Sequence, residues 1–473
     1  ARMSAFLKGS KPAVKELIEN LKEDFPYVSV LGTDTFGTSY RVQRTGSSIG
    51  DAFWNERGFV VRVYNGVNYS EFSFNNIDGK NVAGTADEIR SKLKKQSKNL
   101  KGISLNKYPM MDEEEIKKSF IGEVKVHPSE VSAEDKINAL HKIMDKALNN
   151  HKELVDFQAV YNELEISKIF ISTKKDLEQA YVISEGYVIP IVRRGNNTKL
   201  HFRTYSGFKG VELIDEMKKD IDESVKEAIQ LLDAAPIEKP GEYDVICTPE
   251  ISGILAHEAF GHGVEMDMFV KERAKAINYI GKRVASDLVT MHDGSQAACD
   301  VSSYLFDDEG TLGKDTVIIK NGILERGMSD ILSAMKLGTV PTGNGKRQSF
   351  ERKAYARMTN TFFEPGNDNV EDMIASIKKG YLLKYASSGM EDPKNWGIQL
   401  IITMGYEIID GKLTGKVVAP VFVTGYVPDV LKSISMVSKN AELFGSGACG
   451  KGYKEYVKVS DGGPYLKTRV RLG

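Results

Sequence analysis

The stretch YDVICTPEISGILAHEAFGH runs from Tyr243 to His262. Its first part, Tyr243 to Thr248, reads as a buried strand that leads through Pro249-Glu250 into a helix. That helix carries His257, Glu258 and His262, so two imidazoles and a carboxylate fall close together in a chain with only 7 histidines. Zinc proteases commonly place two histidines four apart, about 40° around a helix axis, with a glutamate after the first. Here the spacing is five, and an unbroken α-helix would splay the rings by about 140°. For both to reach one ion, a π-bulge must absorb the extra residue, or the helix must end at Gly261 and let His262 turn back from the loop. Gly261 and Gly263 flank His262 and suit either bend. Two imidazoles hold zinc poorly, and catalytic sites usually add a third protein ligand while leaving one position open.

Working outward, the chain continues beyond this helix with β-strand patterns. Hairpins are expected at Asn321-Gly322, between Val317–Lys320 and Ile323–Arg326, and at Asp410-Gly411, between Ile398–Ile409 and Leu413–Val423. On the N-terminal side, Pro236 and Pro240 break a helical pattern that runs from Val211 to Ala234, and they mark the best domain boundary. Before it, a helix is expected from about Ala13 after Pro12. A hairpin follows at Asn65-Gly66, then a helix from a Thr85/Glu88 capping box and a longer one opened by Ser132. Four strands complete that half: Ile166–Ser172, Gln179–Ser184, Tyr187–Val192 and Leu200–Tyr205, with a turn at Gly195-Asn196-Asn197. The expected fold class is α+β. Residues 1–235 form a mixed α/β domain with an antiparallel sheet and long helices, and residues 243–473 form a predominantly antiparallel β domain that carries the metal motif.

The composition fits this picture. A chain of 473 residues exceeds one ordinary core, and a net charge of -1 gives no electrostatic reason to expect nucleic acid or a membrane surface as partner. No apolar leader or spanning segment is visible, so a cytoplasmic location is the default expectation. The three cysteines, Cys247, Cys299 and Cys449, are odd in number and widely spaced, which suits a reducing compartment and leaves each available as a thiolate. Cys247 sits in the apolar strand and reads as a small buried hydrophobe. Cys299 lies in a polar loop near His292 and Asp293. Cys449 lies among the glycines of Gly445–Gly452, where a sulfur can be pointed at another element. On chemistry alone Cys449 leads as third ligand, and Cys299 stays open.

Four segments in order, HEAFGHGVEMD from His257, YLFDDEGT from Tyr304, RMTNT from Arg357 and GACGK from Gly447, give the chain a resemblance to the TldD/PmbA family of metallopeptidases. The likeness extends over essentially the whole chain and points to the TldD-type subunit, since the sister subunit lacks the metal motif. It implies Zn2+ held by His257, His262 and Cys449, with Glu258 as the catalytic carboxylate that activates a metal-bound water. It implies hydrolysis of unfolded or short peptides in a homodimer or in a heterodimer with a sister subunit. Arg357, Asn360 and Thr361 are then expected to contact the peptide backbone, and Glu265 and Asp267 match an acidic pair. The chain departs from the family at Met266 and after Lys451, where Gly452-Tyr453-Lys454 replaces a stretch ending in Gln. The rival reading is a non-catalytic regulatory partner in which the metal is structural and fully coordinated by protein.

Overall fold

The computed structural model describes residues 2–99, 107–451 and 455–473. The departure expected at 452–454 lies outside them. Two large sheets dominate an α+β fold. In the first, the strands run in the order Tyr69–Phe74, Glu56–Tyr64, Tyr27–Gln43, Leu154–Ser172, Lys175–Arg194 and Ile116–Ile121, with three short strands added alongside. All neighbours are antiparallel except Ile116–Ile121, which runs parallel to Lys175–Arg194.

Side-chain alternation gives this sheet two different faces. On the Leu154–Ser172 strand, Phe157, Ala159, Tyr161, Ile169 and Ile171 pack under helices, whereas Leu164 and Phe170 face Val301, Tyr304 and Phe306 from the second half of the chain. The helices are Ala5–Leu21, Ala133–Asn150 and Ile221–Asp233, and each buries an apolar stripe on the first face. Ser132 caps the second of these as expected, accepting from the amide of Asp135.

Several boundaries differ from the sequence expectation. The first helix starts at Ala5 and carries Pro12 inside it, because Leu7, Val14, Leu17, Ile18 and Leu21 bury one continuous stripe, and tertiary packing outweighs the lost hydrogen bond. The helix expected from the Thr85 box starts at Val82, after a turn in which Asp78 and Asn81 bond each other's backbone amides. The two strands expected on either side of Glu185-Gly186 are one 20-residue strand. Gly186 marks a close approach rather than a turn, since a Cβ there would meet Met217 Sδ at 2.6 Å.

The second sheet begins with Gly241–Cys247, just past Pro236 and Pro240. It continues through Lys379–Asp392, Gly397–Ile409, Val421–Tyr426 and Ser460–Leu472, and the first strand also pairs with the last, so these five close on themselves. Asn360–Phe363, Met291–Asp293, Thr316–Lys320 and Ile323–Leu324 extend it outward. Positive φ at Asn321, Gly322, Asp410 and Gly411 gives both expected tight turns. The strand after Asp410-Gly411 is divided at Ala419-Pro420 into two pieces, which pair with different parts of Gly397–Ile409. The helical segment after Pro249 packs Ile251, Leu255, Ala256 and Phe260 into the same core as Ile398, Leu400, Val423 and Leu466. That packing fixes one side of the helix and leaves the other for chemistry.

Candidate metal centre

The five-residue spacing is accommodated by a π-helical turn over Leu255–Phe260, in which the Gly261 amide bonds back to the Ala256 carbonyl, five residues earlier. A short 3₁₀ turn, Gly261–Val264, follows at once. Both remedies raised by the sequence are therefore present in succession. The outcome is that the His257 and His262 rings lie 4.9 Å apart, nearly perpendicular. Gly261 is required at the change of helix type, since a Cβ would meet Met358 Sδ at 2.3 Å and the Ala256 carbonyl oxygen at 2.9 Å.

Cys449 reaches the same point from the other end of the domain. Its Sγ lies 3.6 Å from His262 Nε2, and one donor atom from each of His257, His262 and Cys449 falls within 4.8 Å of the other two. Among the described residues this is the one such cluster of His, Cys and acidic groups. Cys247 is buried in its strand, where burial pushes its thiol up to about 12, and Cys299 is exposed. The alternative left open for Cys299 is thus not supported by position.

The donor set fits a zinc ion. A zinc–sulfur bond of about 2.3 Å and a zinc–nitrogen bond of about 2.05 Å at a tetrahedral angle place their donor atoms about 3.6 Å apart, which is the spacing between Cys449 Sγ and His262 Nε2. Burial alone would raise the Cys449 thiol, but the two imidazoles beside it, in their charged form, bring it down to about 5, so this pocket favours the thiolate. One sulfur and two nitrogens also form the mixed soft and borderline set that zinc prefers.

Glu258 faces the same centre, its carboxylate oxygens 3.5 Å from His257 Nε2 and 3.7 Å from His262 Nε2. Its side chain is 24% exposed, so it borders both the donors and solvent. Across from it runs the Lys379–Asp392 strand. A Cβ on Gly389 would come within 3.1 Å of Glu258 Cγ, so this strand passes directly against the carboxylate's stem.

Behind the donors lies a polar layer that local sequence reasoning did not assemble. His262 Nδ1 donates to Glu265 Oε1 at 3.0 Å, and Lys451 Nζ lies 2.8 Å from Asp267 Oδ1 and 3.5 Å from Glu265 Oε1. Lys451 is two residues beyond Cys449 in extended backbone, and that period of two was the available signal.

Arg357, Asn360 and Thr361, expected to touch substrate, have other positions. They are 1%, 0% and 0% exposed. Arg357 donates to the Cys449 carbonyl at 2.7 Å and the Glu455 carbonyl at 3.2 Å. Thr361 donates to buried Asp293, which also accepts from Thr359 and Asn344. Asn360 donates to the Gly294 and Ala298 carbonyls and to Ser303. Arg357 thereby supports the Cys449 hairpin from inside the protein, while Asn360 and Thr361 bond the segment from Asp293 to Ser303. The YLFDDEGT segment has a similar inward role. Asp308 pairs with Lys168 and Glu309 with Arg62, which join the first sheet to a loop of the second half of the chain.

Comparison with known proteins agrees with this picture. Residues 240–469 match the family model for the PmbA/TldA metallopeptidase C-terminal domain. A metalloprotease of Methanocaldococcus jannaschii is 31% identical over 346 residues, covering 73% of this chain and 75% of that protein. A zinc metalloprotease TldD homolog of Saccharolobus solfataricus is 30% identical over 346 residues, 71% of this chain and 75% of that protein. Among solved structures, TldE from Thermococcus kodakarensis superposes with a TM-score of 0.74 at 19% identity, over 98% of this chain and 100% of that one, which is a likeness of fold.

Proposed function

This chain belongs to the TldD/PmbA family of metallopeptidases, and from that premise we propose that it hydrolyses peptide bonds at a zinc ion held by His257, His262 and Cys449, with Glu258 moving the proton. The observation that carries the reading is the meeting of three donors within 4.8 Å of one another, one pair at the 3.6 Å that a shared zinc would set, with a partly exposed carboxylate against both rings. When bound there, zinc supplies Lewis acidity toward water and toward the oxygen of the scissile carbonyl. The chain's own residues do the rest. Glu258 takes a proton from the attacking water on a carboxylate oxygen and passes it to the departing amine. Cys449 contributes a negative charge to the donor set, which makes the water harder to deprotonate and places more of that task on Glu258.

Substrate binding is read from the Lys379–Asp392 strand. Its first part is flanked on both sides, by Gly241–Cys247 and Gly397–Ile409, whereas residues 388–392 pair among the described strands with Gly397–Ile409 alone. At Gly389 one face of this stretch lies against Glu258, and its second edge has no partner among the described strands. An extended peptide can add to that edge through main-chain hydrogen bonds with modest side-chain selectivity, which favours short or unfolded substrates over folded ones. Free Cys247, Cys299 and Cys449 support a reducing compartment such as the cytoplasm. No helix among the described residues is long and apolar enough to cross a membrane. The TldE-like fold supports assembly with a sister subunit or with a second copy.

The test is Glu258→Gln. Turnover of an unstructured peptide should fall by about 10²–10⁴-fold, the usual contribution of a positioned general base, while the bound zinc stays at the wild-type stoichiometry. Loss of zinc in this variant would make Glu258 a ligand and overturn the assignment.

A further inference from the structure

His262 and Cys449 are separated by 187 positions in sequence, yet they must meet within a few tenths of an ångström to share an ion. Side chains outside the donor set connect the two segments. Glu265 is 2% exposed, and its Oε1 accepts from His262 Nδ1 at 3.0 Å. With Nδ1 committed as a donor, Nε2 carries the lone pair, and Nε2 is the nitrogen that faces Cys449 Sγ and Glu258. The same Glu265 oxygen lies 3.5 Å from Lys451 Nζ, and Lys451 also donates to Asp267 Oδ1 at 2.8 Å and to the Ala356 carbonyl at 2.7 Å. Lys451 leaves the three-residue strand Cys449–Lys451 on the same side as the thiolate, because alternate residues of extended backbone share a face. A closed circuit results: His262 ring, Glu265, Lys451, one step of strand to Cys449, and 3.6 Å back to His262.

We propose that Glu265 and Lys451 are positioning residues that act as one unit, fixing the tautomer and rotation of His262 and the placement of the Cys449 hairpin together, so that zinc affinity depends on their mutual contact. This rests on the reading of His257, His262 and Cys449 as a zinc site. Arg357, bonded to the Cys449 carbonyl, holds the hairpin's backbone, whereas Lys451 contacts the carboxylates through its side chain. A carboxylate that serves only to fill space would need neither the imidazole contact nor the ammonium beside it. In Glu265 both contacts fall on a single oxygen, the arrangement that transmits a displacement of Lys451 to the ring.

The experiment measures the zinc dissociation constant by chelator competition for wild type, Glu265→Gln, Lys451→Met, the double variant and Lys451→Arg. Absorption of the cobalt(II)-substituted proteins and melting of the metal-free forms complete the set. Each single change is expected to weaken zinc binding about 10–100-fold, the usual cost of losing an outer partner of a ligating histidine. The double variant should be no weaker than the worse single one, Lys451→Arg should recover affinity, and the thiolate-to-cobalt band should shift in the singles. Melting of the metal-free proteins separates folding defects from positioning, and Lys451→Arg keeps the test open where Lys451→Met folds poorly. Wild-type affinity and spectrum in Glu265→Gln, or losses that multiply in the double variant, would overturn the coupling. Failure of the underlying reading looks different: Cys449→Ala would then bind zinc as tightly as wild type.

Discussion

Gly389→Ala tests the contact on which both catalysis and substrate placement depend. The added methyl would lie 2.8 Å from Leu400 Cδ2 and 3.1 Å from Glu258 Cγ, where ordinary carbon contacts begin near about 3.5 Å, so the two side chains must retreat by about 0.7 Å and 0.4 Å respectively. Leu400 is 2% exposed and has little room to do so, which sends part of the strain to Glu258, whose side chain borders solvent. Misplacing a catalytic group by about 1 Å costs on the order of 10²-fold, so a displacement of a few tenths should lower kcat about 10-fold. Overpacking at the strand should destabilise the fold by about 1–3 kcal/mol. The assay pairs kcat on an unstructured peptide with zinc stoichiometry and thermal melting, and zinc content should stay at wild type because the three atoms nearest the added methyl belong to Leu400 and Glu258 and not to a donor. Gly397→Ala, on the neighbouring strand, adds a methyl with nothing within 4 Å and should behave as wild type in kcat. Unchanged kcat and melting in Gly389→Ala would mean that this strand does not abut Glu258, and the substrate edge would lose its basis.

Two further outcomes follow from the same geometry. Cys449→Ala should lose most of its zinc in elemental analysis, since two imidazoles alone bind the ion weakly, whereas Cys299→Ala should retain it; equal zinc in both proteins would remove Cys449 from the site. His292, outside the donor set, offers a pH dependence: burial disfavours its charge, but Asp315 on Nδ1 and Glu364 on Nε2, each at 2.6 Å, outweigh burial and hold its pKa above the usual value. The folded state then binds more protons than the unfolded one, so this contribution is complete below about pH 6.5 and is lost as pH rises through the folded-state value. Melting of His292→Gln should fall below wild type by an amount equivalent to about 1 kcal/mol at pH 6, with the gap closing toward pH 9, and a gap that widened with pH would reverse the sign of the argument.

Features that depend on a few adjacent residues were legible in the sequence. Asn321-Gly322 and Asp410-Gly411 could be read as tight turns because two consecutive positive φ values demand such residues. The five-residue histidine spacing admitted few geometries, and a π-turn was among them. Reading failed where a distant partner decides. Gly186 resembles a turn residue until Met217 is seen lying over it, and Pro12 resembles a helix start until the stripe from Leu7 to Leu21 is seen to be buried. Arg357, Asn360 and Thr361 make a polar run that suggests an exposed, substrate-facing strand. Their polarity is instead consumed by Asp293, the Cys449 hairpin and loop carbonyls, none of which lies nearby in sequence. Glu265 and Lys451 were missed as a pair for the same reason.

The placement of the thiolate also depends on the first sheet. The Gly445 amide donates to Ser206 at 2.7 Å, the Gly447 amide donates to Glu185 at 3.1 Å, and Lys458, beyond the hairpin, reaches the same Glu185 oxygen at 3.1 Å. Ser206 and Glu185 both belong to the first sheet, so the loop that ends at Cys449 is strung between the two halves of the chain. That gives a reason for the buried ions at their junction. Arg62 with Glu309, Lys168 with Asp308, and Arg347 with Glu71 add little net stability after desolvation, yet breaking one such pair costs about 3–5 kcal/mol. Apolar contacts of equal area would permit the two halves of the chain to shift against each other at small cost, because the hydrophobic effect has no direction. Paired ions forbid that shift. A donor spacing of 3.6 Å between Cys449 and His262 tolerates only a few tenths of an ångström, so a junction that specifies position serves this site better than one that merely adds adhesion.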